Sequence, residues 1–297
     1  MSAGLEIVAD DGNVVGEGPI WDGQRQRLLW TDIESGLVYQ LDADGNKSVI
    51  SRDLIVGHIG LNSDGRLIFA GGSGVCLWRG QDDYETVVTE CDGEALNFND
   101  GIVGPSGRLY AGTVYWGADG MEKLGKLYLI EGDGSIRVVV DDVELSNGLG
   151  FSPDNRTLYY TDTTVRKIYA FDVDAGSGEL SNKRVFVTVP DDEGIPDGMT
   201  VDAEGFVWSA QWYGSQVVRY DPDGAVERRI PMPAQQVSCC SFGGPDLTDL
   251  YISSAADSWR SDVAPPGYDF DAKNMGGALY RVRVDVPGKA EHVASWG

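Results

Sequence analysis

The sequence predicts an all-β fold, a six-bladed β-propeller whose four-stranded blades surround a central channel. Three observations predict it: a high glycine content, a motif that occurs six times, and short strand-like segments separated by turns. The chain has 297 residues, of which 40 are glycine and 12 are proline. Glycine at that density without a collagen period indicates many tight turns, and therefore many short strands. We expect residues 1–297 to form one domain.

The repeated motif starts with a small or acidic residue beside glycine. A short apolar stretch follows, then a turn containing Asp, Asn or Gly, then an alternating strand. The six copies are EGPIWDGQRQRLLWTDI from Glu17, GHIGLNSDGRLIFAGG from Gly57, NDGIVGPSGRLYAGTV from Asn99, NGLGFSPDNRTLYYTD from Asn147, DGMTVDAEGFVWSAQW from Asp197 and SCCSFGGPDLTDLYISS from Ser238. Their spacing of roughly 40 to 50 residues is typical of a four-stranded propeller blade.

A further strand and a tight turn follow each copy. Segments such as GLVYQLDADG and QVVRYDPDG alternate with period two, and their D-G steps supply the positive φ of hairpins. A closed ring requires its first and last strands to meet. We therefore expect LEIVAD near the start to pair with ALYRVRVDV or AEHVAS near the end. Residues 256–277 interrupt the last blade and predict a long loop near the channel mouth, either a lid or a solvated insertion.

The charge of the chain limits its partners. A net charge of −24 argues against nucleic acid and against anionic membranes, and favours a strongly solvated surface. No apolar run approaches 18 residues and no signal-like segment opens the chain, so we expect a soluble, cytoplasmic protein. The four cysteines form no disulfide framework or zinc spacing and are predicted to be free. The expected partner is a small molecule, bound by a monomer or weak homo-oligomer.

Aligning the six copies identifies candidate functional positions. The alignment places six residues at the start of the innermost strand of each blade, facing one another across the channel. They are Glu17, Gly57, Asn99, Asn147, Asp197 and Ser238. Four of the six carry carboxylate or amide oxygens. Two carboxylates in a narrow channel would repel each other unless a positive charge lay between them, and no Lys or Arg occupies an equivalent position.

A divalent cation is the simplest positive charge for this ring. An all-oxygen set suits Ca²⁺, Mg²⁺ or Mn²⁺, and tolerates Zn²⁺. The competing interpretation is that Asn and Asp before Gly serve only as turn residues, although Glu17 has no turn role. His58, one place after the ring, lines the channel or is structural, and His292 is expected at the surface. With only two histidines, metal-assisted attack of water on a carbonyl is favoured over a Ser-His-Asp triad.

Several ordered motifs resemble the SMP-30/gluconolactonase/luciferin-regenerating-enzyme-like family over nearly the whole chain. They are GEGPIW at 16–21, FNDG at 98–101, SNGLGFSPD at 146–154, YYTDT at 159–163, IPDGMTVDAEG at 195–205 and SCCSFGGPDL at 238–247. The resemblance implies a six-bladed propeller that holds one divalent metal through Glu17, Asn147 and Asp197. It further implies that Asp197 is the catalytic base, that Asn99 contacts metal-bound water or substrate, and that Asp100 is a further pocket residue.

The chain departs from this family at one informative position. Many sugar-lactonase members have an arginine that binds substrate hydroxyls where this chain has Asn97, which has a shorter reach and fewer donors. This departure weakens the expectation of an aldonolactone. Three aromatic residues, Tyr115, Trp116 and Trp212, follow strands at the expected mouth. They are expected to contact substrate or, as the alternative, to pack between blades.

The favoured function is therefore a metal-dependent lactonase that opens a small sugar lactone to its hydroxy acid. One rival is a hydrolase of the same fold that acts on an apolar lactone, an ester or a phosphotriester. A second rival is a metal-binding propeller without enzymatic activity.

Overall fold

The computed structural model describes residues 4–117, 120–257, 260–273 and 276–297, and these residues form strands and turns without a helix. Within them no helix is long and apolar enough to cross a membrane. The strands build six sheets arranged as the blades of a six-bladed propeller, which confirms the predicted fold class. All four cysteines are free, as expected.

The first three blades follow one another along the chain. The first contains β2 (Gly16–Asp22), β3 (Arg27–Asp32), β4 (Leu37–Leu41) and β5 (Lys47–Ser51). The second contains β6 (Val56–Asn62), β7 (Leu67–Gly71), β8 (Gly74–Gly80) and β9 (Asp83–Val88). The third contains β12 (Phe98–Val103), β13 (Leu109–Thr113), β16 (Gly125–Ile130) and β17 (Ile136–Val143). Two small hairpins accompany them, β10 (Glu90–Cys91) with β11 (Glu94–Ala95), and β14 (Trp116–Gly117) with β15 (Gly120–Met121).

The other three blades complete the ring. The fourth contains β18 (Ser146–Phe151), β19 (Thr157–Asp162), β20 (Lys167–Val173) and β21 (Leu180–Thr188). The fifth contains β22 (Ile195–Val201), β23 (Val207–Trp212), β24 (Gln216–Tyr220) and β25 (Val226–Pro231). The sixth contains β26 (Val237–Gly243), β27 (Asp249–Ser254), β28 (Ala278–Arg283) and β1 (Leu5–Asp10).

The ring closes as the sequence predicts. The amino-terminal strand β1 pairs antiparallel with β28, with Leu5 opposite Val282 and Asp10 opposite Ala278. Of the two carboxyl-terminal candidates, ALYRVRVDV therefore closes the sixth blade. The other, AEHVAS, supplies β29 (Val293–Ala294), which adds in parallel to the inner strand β6 of the second blade.

Burial follows position within a blade. The inner strands β6, β18, β22 and β26 are buried along their whole length, whereas the outer strands β9, β21 and β25 are largely exposed. Six apolar clusters fill the spaces between neighbouring blades around the ring. Trp208 of the fifth blade, for example, meets Phe242 of the sixth edge-on, with ring centroids 5.8 Å apart. Packing between blades therefore fixes the ring that positions the channel.

The chain after β28 crosses the end of the propeller at which the inner strands finish. The Gly288 amide donates to the carbonyl of Leu247, and the Trp296 amide donates to Asn62 Oδ1 at 2.8 Å. His292, expected at the surface, is instead half-buried: its ring packs edge-on against Phe151, and its Nε2 lies 3.0 Å from Asn155 Oδ1. This segment covers one end of the channel and leaves the other end as the mouth.

Candidate functional site

The six aligned positions lie together at the mouth end of the channel. Each is the second or third residue of an inner strand, so the predicted ring of facing positions forms. Gly57 has no side chain because the blades approach closely there: an added Cβ would lie 2.1 Å from the carbonyl oxygen of Asn99. Ser238 Oγ donates to the carbonyl of Gly16 at 2.6 Å. These two positions serve packing between blades, which leaves four polar side chains for the mouth.

A cavity of about 250 Å³ opens at this end. Its walls come from the first residues of inner strands, from residues just before these strands, and from residues at or just after the ends of second strands. The lining residues are Val15, Glu17, Ile33, Glu34, Asn99, Val114, Trp116, Leu145, Asn147, Thr163, Ile195, Asp197 and Trp212. Apolar side chains form most of the wall, the inner-strand residues Glu17, Asn99, Asn147 and Asp197 lie at its base, and the exposed Glu34 lies at its rim. We call this cavity the mouth cavity.

Glu17 and Asp197 place two carboxyl groups at the base of the mouth cavity. Burial raises the pKa of Glu17 to about 8, repulsion from Asp100 adds to the effect, and the Gly18 amide, 2.9 Å from Glu17 Oε2, opposes it. Burial likewise raises the pKa of Asp197 well above its usual value, with further contributions from Glu17 and Asp100. Without a cation, this site disfavours the negative charge that its own residues carry.

No lysine or arginine lines the mouth cavity. A histidine lies deeper in the channel, His58, whose Nδ1 is 3.6 Å from Asp100 Oδ1. His58 and Asp100 line a second, smaller chamber of about 50 Å³ below the ring, together with Cys239. His58 Nε2 is buried and has no hydrogen-bond partner among the described residues. His58 therefore lines the channel, the less favoured of its two predicted placements.

Hydrogen bonds fix the orientation of the Asn147 amide. Its Nδ2 donates to Thr163 Oγ1 at 2.9 Å, and its Oδ1 accepts from Asn99 Nδ2 at 3.0 Å. Asn99 Nδ2 also donates to the carbonyl of Ser146 at 2.9 Å. The Asn147 oxygen is thus held on the same side as Asn99, at the lining of the mouth cavity. Thr163 is a positioning residue that acts through Asn147.

The donor set at the base of the cavity fits a hard divalent cation. It comprises the carboxylates of Glu17 and Asp197 and the amide oxygen of Asn147, and such cations prefer oxygen ligands. A cation there would offset the repulsion that raises both carboxyl pKa values. Among the described residues no group of three or more His, Cys, Asp and Glu could hold a metal. The set proposed here has only two carboxylates and depends on an amide for its third donor.

The predicted substrate residues separate into two groups. Asn99, Trp116 and Trp212 line the mouth cavity, whereas Asp100 lies below it in the smaller chamber. Asn97 is exposed outside the cavity, where its Nδ2 donates to the carbonyl of Val114 at 3.2 Å.

Tyr115 also lies outside the cavity lining. Its hydroxyl donates to the carbonyl of Ala95 at 3.1 Å, and the Lys123 ammonium lies 3.8 Å from its ring centroid. Tyr115 therefore adopts the packing role, while Trp116 adopts the lining role.

The described part of the predicted loop, residues 260–273, packs beside the mouth. Its Tyr268 and Phe270 form an aromatic cluster with Tyr213, which adjoins the cavity-wall residues Ile195 and Trp212. Residues 258, 259, 274 and 275 of the predicted loop lie outside the described residues. The described residues of the insertion therefore support one wall of the mouth cavity through apolar packing.

A half-buried arginine of the fourth blade, Arg166, fastens this insertion to the segment between the fourth and fifth blades. Arg166 Nη1 donates to the carbonyl of Val263 at 2.9 Å, and its Nη2 donates to the carbonyl of Glu193 at 2.6 Å. Gln236 Nε2 also donates to the Tyr268 hydroxyl at 2.7 Å.

Sequence reasoning missed several lining residues. Glu34 and Ile33 follow β3, Leu145 precedes β18, and Thr163 follows β19. These positions lie outside the aligned inner-strand register. Thr163 was already within the YYTDT motif, and its place at the end of a second strand matches that of Val114 and Trp212 in the aligned copies. A register drawn for the ends of second strands would have found it.

The comparisons with known proteins agree with this architecture. Residues 15–256 match the family model described as the SMP-30/Gluconolactonase/LRE-like region. The chain belongs to this family. It is 34% identical over 285 residues to the pentonolactonase XacC of Haloferax volcanii, covering 96% of each chain. It is 33% identical over 294 residues to a 6-deoxy-6-sulfogluconolactonase of Pseudomonas putida, covering 98% of each.

A solved family structure has the same fold. The calcium-binding protein regucalcin of Agrobacterium tumefaciens superposes with a TM-score of 0.83 at 27% identity, over 98% of this chain and 97% of that one. The matched residues contain the first five blades in full, including the four that supply Glu17, Asn99, Asn147 and Asp197.

Proposed function

We propose that this protein is a metal-dependent lactonase that opens a small sugar lactone to its hydroxy acid. The observation that carries the proposal is the base of the mouth cavity, where the Glu17 and Asp197 carboxyl groups and the Asn147 amide converge without a basic partner. Two relatives of the family, a pentonolactonase and a 6-deoxy-6-sulfogluconolactonase, are named for lactone hydrolysis. Cavity and family therefore support the same reaction class.

Glu17, Asn147 and Asp197 would hold the cation. When bound, it supplies Lewis-acid polarisation of the lactone carbonyl. The related regucalcin structure is described as calcium-binding, which supports a divalent ion in this chain as well. The all-oxygen donor set is compatible with Ca²⁺, Mg²⁺ or Mn²⁺ and tolerates Zn²⁺.

Side chains of this protein then accept and return the proton that the attacking water loses. Water attacks the lactone carbonyl carbon, and Asp197 Oδ accepts the proton that this water loses. The bond between the carbonyl carbon and the ring oxygen breaks, and the ring oxygen takes the proton to become the hydroxyl of the product. The new carboxylic acid ionises at neutral pH. Asn99, at the lining beside Asn147, is placed to orient the substrate, and the Trp116 and Trp212 side chains bound its space.

The test is a proton-release assay on protein that has been stripped with a chelator and resupplied with single metals. The panel contains several aldonolactones, an apolar γ-lactone, an aryl ester and a phosphotriester. We expect acid release that requires metal, and a loss on the order of a thousandfold in Asp197→Asn, within the range for removal of a general base. Turnover that survives in Asp197→Asn or in chelator would contradict the proposal.

The apolar wall favours a second candidate within the same reaction class, a hydrolase of less polar lactones or esters. Its supporting observation is that Asn97, which replaces the usual sugar-binding arginine, lies outside the cavity. Faster turnover of the γ-lactone or aryl ester than of every aldonolactone would establish it. Metal binding without turnover of any compound would leave a non-enzymatic propeller.

We also propose that the protein acts in the cytoplasm as a monomer or weak homo-oligomer. The four free cysteines support a reducing compartment.

A further inference from the structure

Glu34 is an acidic residue at the mouth cavity that the proposed mechanism does not use. It follows β3, lines the cavity and is exposed. Among the described residues its carboxylate has no hydrogen-bond or ion-pair partner, whereas most other acidic side chains near the mouth are engaged. The Glu34 carboxylate can therefore attract or repel a charged ligand that enters the mouth cavity.

Three basic side chains close to the mouth are already engaged. Arg166 directs its guanidinium at backbone carbonyls of the insertion and of the segment between the fourth and fifth blades. Lys123 is paired with Glu94 and covers the Tyr115 ring. Arg260 is paired with Asp271 at 2.5 Å. No lysine or arginine belongs to the cavity wall, and the residues outside the described ranges include neither type.

The cavity stays negative even with a divalent cation in place. A divalent cation would offset the two carboxylates at the base, Glu17 and Asp197. Glu34 then leaves a negative charge at the rim, while Asp100 lies in the smaller chamber below, beside His58. The wall between base and rim is apolar and includes Trp116, Ile195 and Trp212.

We infer that the mouth cavity selects uncharged lactones with an apolar face over lactones that bear a carboxylate, sulfonate or phosphate, and that Glu34 is a specificity-determining residue for this choice. The inference rests on the proposed function.

The experiment compares galactono-1,4-lactone with galactaro-1,4-lactone, which carries a carboxylate in place of the terminal CH₂OH. The readout is the ratio of their kcat/KM values in the metal-loaded protein at low salt. We expect the wild type to favour the neutral lactone, Glu34→Gln to reduce this preference roughly threefold, and Glu34→Lys to reduce it on the order of tenfold. Added salt should reduce the wild-type preference, because the charge at the rim is exposed.

Asp223→Lys is the matched control for charge reversal. Asp223 lies in the turn between β24 and β25, at the end of the propeller opposite the mouth. The Asp223→Lys substitution changes the net charge by the same amount as Glu34→Lys but should leave the ratio of the two kcat/KM values unchanged.

Equal turnover of the two lactones by the wild type would overturn the inference, as would Glu34 variants that behave like Asp223→Lys. Failure of the proposed function looks different, because neither lactone would then be hydrolysed. In that case calorimetric binding of the two lactones decides the inference: weaker binding of the charged one supports it, and tighter binding overturns it.

Discussion

The ionised forms of the Glu17 and Asp197 carboxyl groups are disfavoured without a bound cation and would be favoured with one. Burial and mutual repulsion disfavour their ionised forms in the metal-free channel, whereas a cation between them favours those forms. Asn147 adds a neutral oxygen, so the proposed set would hold a cation without a third carboxylate. On this proposal, the stability cost of burying the two carboxylates is offset when the cation binds.

Glu17→Gln tests this account of the two carboxylates. The substitution removes one of two repelling charges, so the metal-free variant should be at least as stable as metal-free wild type. The stabilisation by added metal should be lost with the ligand, and with it the activity. Thermal unfolding with and without metal measures both effects. A metal-free variant several degrees less stable than wild type would show that Glu17 is a structural group instead.

Thr163→Val tests how the Asn147 oxygen is held. Loss of the hydroxyl leaves Asn147 Nδ2 without its 2.9 Å acceptor, and the amide becomes free to turn. Metal affinity should fall roughly tenfold, the lower end for loss of a group that orients a metal ligand. Titration calorimetry measures it.

Thr161→Val is the matched control. Thr161 lies two residues earlier on β19 and is also buried, but its Oγ1 has no partner among the described residues. Its replacement should leave metal affinity unchanged. Equal losses in the two variants would assign the effect of Thr163→Val to strand packing.

Among the elements, the inner strands were predictable and the mouth walls were not. The inner strands share one local pattern, so aligning the six copies gave the register that brings Glu17, Asn99, Asn147 and Asp197 together. Asn97 was expected at the substrate because of the family resemblance, and Tyr115 because it follows a second strand. Both side chains instead donate to backbone carbonyls outside the cavity.

Arg166→Lys tests the role of the 260–273 insertion as a wall of the mouth cavity. A lysine cannot reproduce the planar set of donors that now bonds the carbonyl of Val263 and carbonyls of the segment between the fourth and fifth blades. The insertion should loosen, KM should rise several-fold, and kcat should change less. Limited proteolysis of the insertion and steady-state kinetics measure the two consequences. Faster cleavage with an unchanged KM would show that the insertion does not contribute to substrate binding.

His292→Gln tests the packing of the segment that covers the far end of the channel. Burial, aided by Lys289, lowers the pKa of His292 to about 4, below the value of about 6.5 expected in the unfolded chain. The unfolded chain therefore binds more protons between these values, and the contribution of His292 to stability is full above pH 6.5 and is lost as pH falls toward 4. The variant should lose less stability than wild type between pH 7 and pH 4.5 in denaturant titrations. Equal losses of stability in the variant and the wild type would indicate that the His292 side chain is exposed to solvent.

At the scale of the whole molecule, the proposed ligands come from three different blades. Glu17 belongs to the first, Asn147 to the fourth and Asp197 to the fifth. No local segment could bind the ion alone, so the geometry of the site depends on closure of the ring by β1 and β28. The sequence predicted the ring because its repeat is regular. It could not predict the size of the mouth cavity, which depends on how the non-repeating segments pack on one another.

The measurement that tests the central claim most directly is a titration of metal into chelator-stripped protein while lactone hydrolysis is followed. A single site built by Glu17, Asn147 and Asp197 predicts activity that rises in proportion to added metal and levels off at one equivalent. The Glu17→Gln variant should show no rise over the same range. Full activity in the stripped protein, or a rise that Glu17→Gln reproduces, would contradict a lactonase whose metal is held at the mouth of this channel.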